Sequence, residues 1–90
     1  SIPEGLFEKN VEASLFNDCF RECESLESMP ANLFSTNTKA TNYTETFYSC
    51  KKLKGSALNL WNRGEGIIGT KCFFDCTGLS NYENIPDDWK

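Results

Sequence analysis

Apolar residues return along this chain at an interval longer than the period of any helix or strand. Writing residues 1–27 above 28–54, a shift of 27 from Ser1 to Ser28, brings Pro3 onto Pro30 and Leu6-Phe7 onto Leu33-Phe34. The same shift brings Asn10 onto Asn37, Ala13 onto Ala40, Phe16 onto Tyr43, Phe20 onto Phe47, Cys23 onto Cys50 and Leu26 onto Leu53. A third copy places Leu60-Trp61 under Leu33-Phe34 and then loses one residue, so that Phe73, Cys76 and Leu79 stand 26 positions after Phe47, Cys50 and Leu53. Ile85-Pro86 echoes Ile2-Pro3, with Trp89 where the next apolar pair would begin. A fixed period of this length is the mark of a stacked architecture, in which each unit covers an apolar face that its neighbour cannot bury alone.

Within a unit, Phe16, Phe20 and Cys23 are spaced i, i+4 and i+7, as are Tyr43, Phe47 and Cys50. That spacing predicts a short helix of about two turns with one apolar face. Leu26-Glu27-Ser28-Met29, and Leu53 in the second unit, suit a strand of a few residues paired with its neighbour. Pro3, Pro30 and Pro86 would stop that strand and open a helical turn over Glu4 to Phe7 or Ala31 to Phe34. The chain is therefore read as an α/β solenoid of about three 27-residue repeats, each a short strand plus short helical turns, in a single domain spanning 1–90. Its repeats are 1–27, 28–54 and 55–79, with a partial capping repeat at 80–90. In the third repeat Gly69 falls where Phe16 and Tyr43 sit, and Ile67 and Ile68 are expected to fill the vacated space. Because Ser1 begins partway through a unit, the chain also reads as a piece of a longer protein.

The residues Ile2-Pro3-Glu4-Gly5-Leu6-Phe7, then Asn17-Asp18-Cys19-Phe20-Arg21-Glu22-Cys23 and Leu26, resemble the BspA-like leucine-rich repeats of bacterial surface proteins, whose unit carries a similar Phe-x-x-Cys-x-x-Leu. The ending Cys76-Thr77-Gly78-Leu79-Ser80-Asn81-Tyr82 through Ile85-Pro86 and Trp89 also looks like the closing segment of such arrays. The resemblance implies a leucine-rich-repeat fold and a secreted or lipid-anchored bacterial protein at the cell surface. It further implies a non-enzymatic role in adhesion or protein binding, with an extracellular protein or glycan as ligand. Ligands in that family vary widely, so it assigns no ligand-binding residue. A spacer or stalk segment of a larger surface protein is the alternative, distinguished by a lack of clustered exposed aromatics.

Composition narrows the function classes. The net charge is −4, and no basic run exceeds Lys51-Lys52, which argues against nucleic acid as a partner. No apolar stretch approaches the ~18 residues of a membrane span, so direct membrane insertion of this segment is not expected. Histidine, the commonest general base, is missing from the sequence. The acidic pairs Asp87-Asp88 and Glu22 with Glu24 lie in polar stretches where solvated surface is the expected role. No catalytic residue, metal ligand or cofactor is therefore assigned.

Five cysteines remain to be placed. Cys23, Cys50 and Cys76 hold equivalent positions and read as small buried side chains in a ladder, spaced beyond disulfide reach if they ride on helical turns ~8–10 Å apart. Cys19 and Cys72 precede two of them as Cys-x-x-x-Cys, but their repeats are not adjacent, which disfavours a shared zinc site. Asn42-Tyr43-Thr44 is a formal glycosylation acceptor whose Tyr belongs to the core face, Lys51-Lys52-x-Lys54 reads as solvated charge, and Trp61 inherits a core place.

Overall fold

A computed structural model describes residues 2–90. Where a helix is expected at Phe16–Cys23, the chain instead runs through overlapping four-residue turns. The N–H of Cys19 donates to the carbonyl of Phe16, that of Arg21 to Asp18 and that of Cys23 to Phe20, at 3.2–3.3 Å. The remaining N–H groups leave the turn altogether. Those of Phe16, Asp18, Phe20 and Glu22 donate to the carbonyls of Asn42, Thr44, Thr46 and Tyr48 in the next coil. Donors thus alternate between a turn within the coil and a bond between coils, a pattern no α-helix can adopt because all its interior N–H groups point along one axis.

The third residue of alternate turns takes a positive φ, as a type II turn requires. These residues are Asp18 and Glu22 in the first coil, Glu45 and Ser49 in the second, and Lys71 and Asp75 in the third. None is glycine, and a left-handed L-residue costs on the order of 1 kcal/mol or more. The bonds between coils hold five of them there: the N–H groups of Asp18, Glu22, Glu45, Ser49 and Lys71 each reach a carbonyl of the following coil or of the closing segment.

The α/β leucine-rich-repeat solenoid of strand plus helix is therefore not what these repeats build. Regular structure among the described residues amounts to three 3-10 turns, Leu60–Asn62, Tyr82–Asn84 and Asp87–Trp89. Pairing between coils yields only isolated parallel bridges, Leu15 with Asn42, Asn42 with Ile68 and Gly55 with Leu79, and no sheet. The expected strand at Leu26–Met29 does not form, and Glu4–Phe7 and Ala31–Phe34 are single turns closed by bonds such as Glu8 N–H to Gly5 and Leu33 N–H to Pro30. The whole is a compact body of 30 × 27 × 18 Å assembled from turns.

Stacked rings fill its interior. Phe20, Phe47 and Phe73 form one column, with centroids 5.4 and 5.5 Å apart and planes within 11° and 5°. Phe7 over Phe34 and Phe16 over Tyr43 form two further pairs, at 5.9 and 6.0 Å. Leu53, Leu60 and Leu79 close the core beside them. Buried side-chain donors are met by neighbouring backbone, while the buried Asn37 Oδ1 has no partner: the Thr46 hydroxyl lies 2.9 Å from the Phe16 carbonyl and 2.7 Å from that of Tyr43. The Asn37 amide donates to the carbonyls of Phe7 and Asn10 in the first coil.

The two ends of the stack differ. At the C-terminal end Asp88 and Trp89 accept from the N–H groups of Lys71 and Phe73. The Trp89 ring lies over Gly69, where an added Cβ would sit 2.3 Å from three ring carbons. Trp89, and not Ile67 or Ile68, thus fills the place left by the missing aromatic; Ile68 is 53 % exposed. Among the described residues, the first coil has no such cover. Leu6 is 42 % exposed while its counterparts Leu33 and Leu60 are buried, and Phe20 is only half-buried where Phe47 and Phe73 are fully enclosed.

Candidate interaction surface

The register that stacks rings inside the body also aligns side chains on its outside. Arg21, Tyr48 and Phe74 occupy one position in successive coils, and each N–H closes the same kind of turn. Tyr48 and Phe74 stack at 4.7 Å with planes 16° apart. The Arg21 guanidinium sits 4.5 Å from the Tyr48 centroid on one side, and the Lys71 ammonium 5.5 Å from that of Phe74 on the other. The result is a partly exposed aromatic strip flanked by two cations and crossing three coils.

Carboxylates tune one end of this strip. Arg21 Nε lies 3.0 Å from Glu45 Oε1 and 3.8 Å from Asp18, and the guanidinium also meets Glu22. The hydrogen bond to Glu45 raises the Arg21 pKa above its usual value, reinforced by the nearby negative charge. Lys71 makes no salt bridge among the described residues. The strip therefore offers an exposed cation at one end, the edges of two stacked rings in the middle and a charge-balanced arginine at the other.

The residues singled out in the sequence lie elsewhere or have structural roles. Asp87, Asp88, Glu22 and Glu24 are exposed. Lys51, Lys52 and Lys54 are exposed too, with Lys51 Nζ 3.9 Å from Asp75. Asn42 accepts the N–H of Thr44 in a local turn, and Tyr43 is fully buried. Trp61 packs edge-on against Phe73 and Trp89. Sequence reading passed over Tyr48 and Phe74, although their shared repeat position with Arg21 was the available signal.

All five cysteines are free. Coils joined by backbone hydrogen bonds lie nearer to the ~5 Å spacing of paired strands than to that of packed helices, so the expected ~8–10 Å separation is too wide. The thiols of Cys50 and Cys76 instead reach back to the carbonyls of Phe20 and Phe47, at 3.1 and 3.0 Å. Cys23, at the uncovered end, is half-buried and Cys19 is exposed, so the buried ladder starts at the second coil. No group of three or more Cys, Asp or Glu side chains among the described residues is arranged to hold a metal ion. No helix among the described residues is long and apolar enough to cross a membrane.

Burial pushes the Cys50 thiol up to about 11 and the Cys76 thiol up to about 12 from an ordinary 9.0, and raises Cys72 further. Because the folded values exceed the unfolded one, the stability linked to these neutral thiols is complete below pH ~9 and is lost as pH rises through 11 and 12. Urea midpoints should therefore fall across that alkaline window, and replacing Cys50 and Cys76 by alanine should flatten the decline. An equally steep fall in the double variant would remove the thiols as its cause. At neutral pH a thiol reagent should modify Cys19 first, leaving Cys50, Cys72 and Cys76 protected until unfolding.

No protein-family model matches this chain, and no curated protein or solved structure matches it either.

Proposed function

We propose that this chain is a non-enzymatic binding or adhesion module, working outside the cell or at its surface as the BspA-like resemblance implies, and recognising an extracellular protein or glycan. The strip of Arg21, Tyr48, Phe74 and Lys71 carries the reading. The partly exposed edges of these stacked rings, with cations beside them, give a ligand apolar contact and hydrogen-bond donors at little entropic cost, since Tyr and Phe have few torsions to fix. A spacer would have no use for clustered surface aromatics, so the same observation favours binding over a stalk.

The test is a glycan and extracellular-protein array probed with the wild-type chain and with a Tyr48→Ala/Phe74→Ala variant. Reproducible binding that falls at least ~10-fold in the variant is expected, the scale of loss when aromatic contacts at the centre of an interface are removed. Lys39→Ala, whose ammonium pairs with Glu12 and not with the strip, should leave binding unchanged. No reproducible ligand, or binding indifferent to the aromatic pair, would sink the proposal. Turnover on a broad hydrolase substrate panel would replace it with an enzyme.

A further inference from the structure

We propose that the cleft between the second and third coils is a second binding site, one that takes a carboxylate carried on a small apolar body. The cleft has a volume of about 330 Å³, and Phe34, Leu58 and Leu60 supply its apolar lining. That is the lower end of the ~300–1,000 Å³ range of small-molecule sites. Arg63 lines it together with Ser35 and Asn59.

Arg63 is the reason to expect an anion. It is half-buried, yet none of the salt bridges among the described residues includes it. Its one side-chain hydrogen bond runs from Nη1 to the Tyr43 hydroxyl, at 3.2 Å. A guanidinium has five N–H donors in a planar fork matched to a carboxylate, so most of its capacity is unused. Arg21, which is exposed, is by contrast surrounded by Asp18, Glu22 and Glu45. A partly desolvated charge with no counter-charge is costly, and a ligand carboxylate would remove that cost. The fork is also anchored: Tyr43 is fully buried, and the Arg63 backbone N–H donates to Leu60 at the end of the 3-10 turn.

The site is independent of the aromatic strip, so the two readings can fail separately. Ser35 and Asn59, both exposed, make no side-chain hydrogen bond to another described residue and stand at the mouth as further polar partners. Ala31 and Leu58, the more exposed apolar residues of the lining, would contact an apolar body over a buried floor of Phe34 and Leu60. Two sources could present this chemistry, a free aromatic acid or a peptide carboxyl terminus.

Benzoate, benzamide, N-acetyl-phenylalanine and its amide should each be titrated into the isotopically labelled chain and followed by NMR. Both acids should shift the Arg63 Nε–H and Leu60 methyl signals to saturation, while both amides bind at least ~10-fold more weakly, the factor equivalent to one charge-assisted hydrogen bond. Tighter binding of benzoate marks a free acid as the source, and tighter binding of N-acetyl-phenylalanine marks a chain terminus; either supports the proposal. Arg63→Met should abolish the difference between acid and amide, and Arg63→Lys, which keeps the charge should the methionine variant fail to fold, should weaken acid binding. Absence of saturation by either acid at ~10 mM, a concentration at which even millimolar affinities show, would overturn it. So would acid and amide of equal affinity.

Discussion

Replacing Phe47 by alanine is expected to destabilise the chain by ~3–5 kcal/mol, the usual cost of emptying a large aromatic site in a core. Phe47 is the middle ring of the column, with Phe20 on one side and Phe73 on the other, and it meets Phe34 edge-on at 6.5 Å. It is fully buried. Its carbonyl also accepts the Cys76 thiol and its N–H donates to the Cys72 carbonyl, so ring loss loosens the bonding between the second and third coils. A domain of this size has a total stability of only ~5–15 kcal/mol, so little would remain. Near the melting transition the loss corresponds to a fall on the order of 20 °C. Phe20→Ala supplies the control, because Phe20 is stacked on one face only and is partly exposed already, and its cost should be about half as large. Urea denaturation of the two variants separates the cases. Equal losses would mean that position within the column does not matter and that the rings act as independent apolar surface.

The comparison between those rings shows what the sequence made legible. Register was visible because the interior repeats chemically: Phe20, Phe47 and Phe73 are the same residue type and face each other. Local conformation was not visible, for a geometric reason. Successive turns closed at Cys19, Arg21 and Cys23 return the chain to the same face every four residues, so Phe16 and Phe20 point inward at a spacing that an α-helix also gives. Positive φ at Asp18, Glu22, Glu45, Ser49 and Lys71 had no glycine to advertise it, because hydrogen bonds between coils hold what propensity disfavours. The surface strip was half legible. The position shared by Arg21, Tyr48 and Phe74 was present in the alignment, but which side of each turn faces water depends on the turn geometry. Arg63 was less legible still, since its partner Tyr43 lies 20 residues away and it makes no salt bridge among the described residues.

The closing tryptophan sets up the second large effect. Gly69→Ala should cost more than the ~1–3 kcal/mol typical of an overpacked core, because the new Cβ would fall 2.3 Å from the Cδ2, Cε2 and Cε3 atoms of Trp89. The ring cannot step aside cheaply. Its own carbonyl is held by Phe73 N–H at 2.7 Å and the preceding one by Lys71 N–H at 2.8 Å, while Trp61 packs edge-on against it at 6.0 Å. Trp89→Ala should itself cost ~3–5 kcal/mol by uncovering Tyr43 and the end of the third coil. A double-mutant cycle measured by denaturation distinguishes a clash from two unrelated losses. If tryptophan fills the place of the absent aromatic, Gly69→Ala should be nearly harmless in the Trp89→Ala background, giving a coupling of at least ~1 kcal/mol. Additive losses would show that Gly69 is required by the backbone and not by the ring. Carrying the aromatic on the closing segment, with glycine in the coil, lets one side chain end the column and cover the last coil at once. An aromatic at position 69 would fill the column while leaving its far face open to water, the condition in which Phe20 stands at the opposite end.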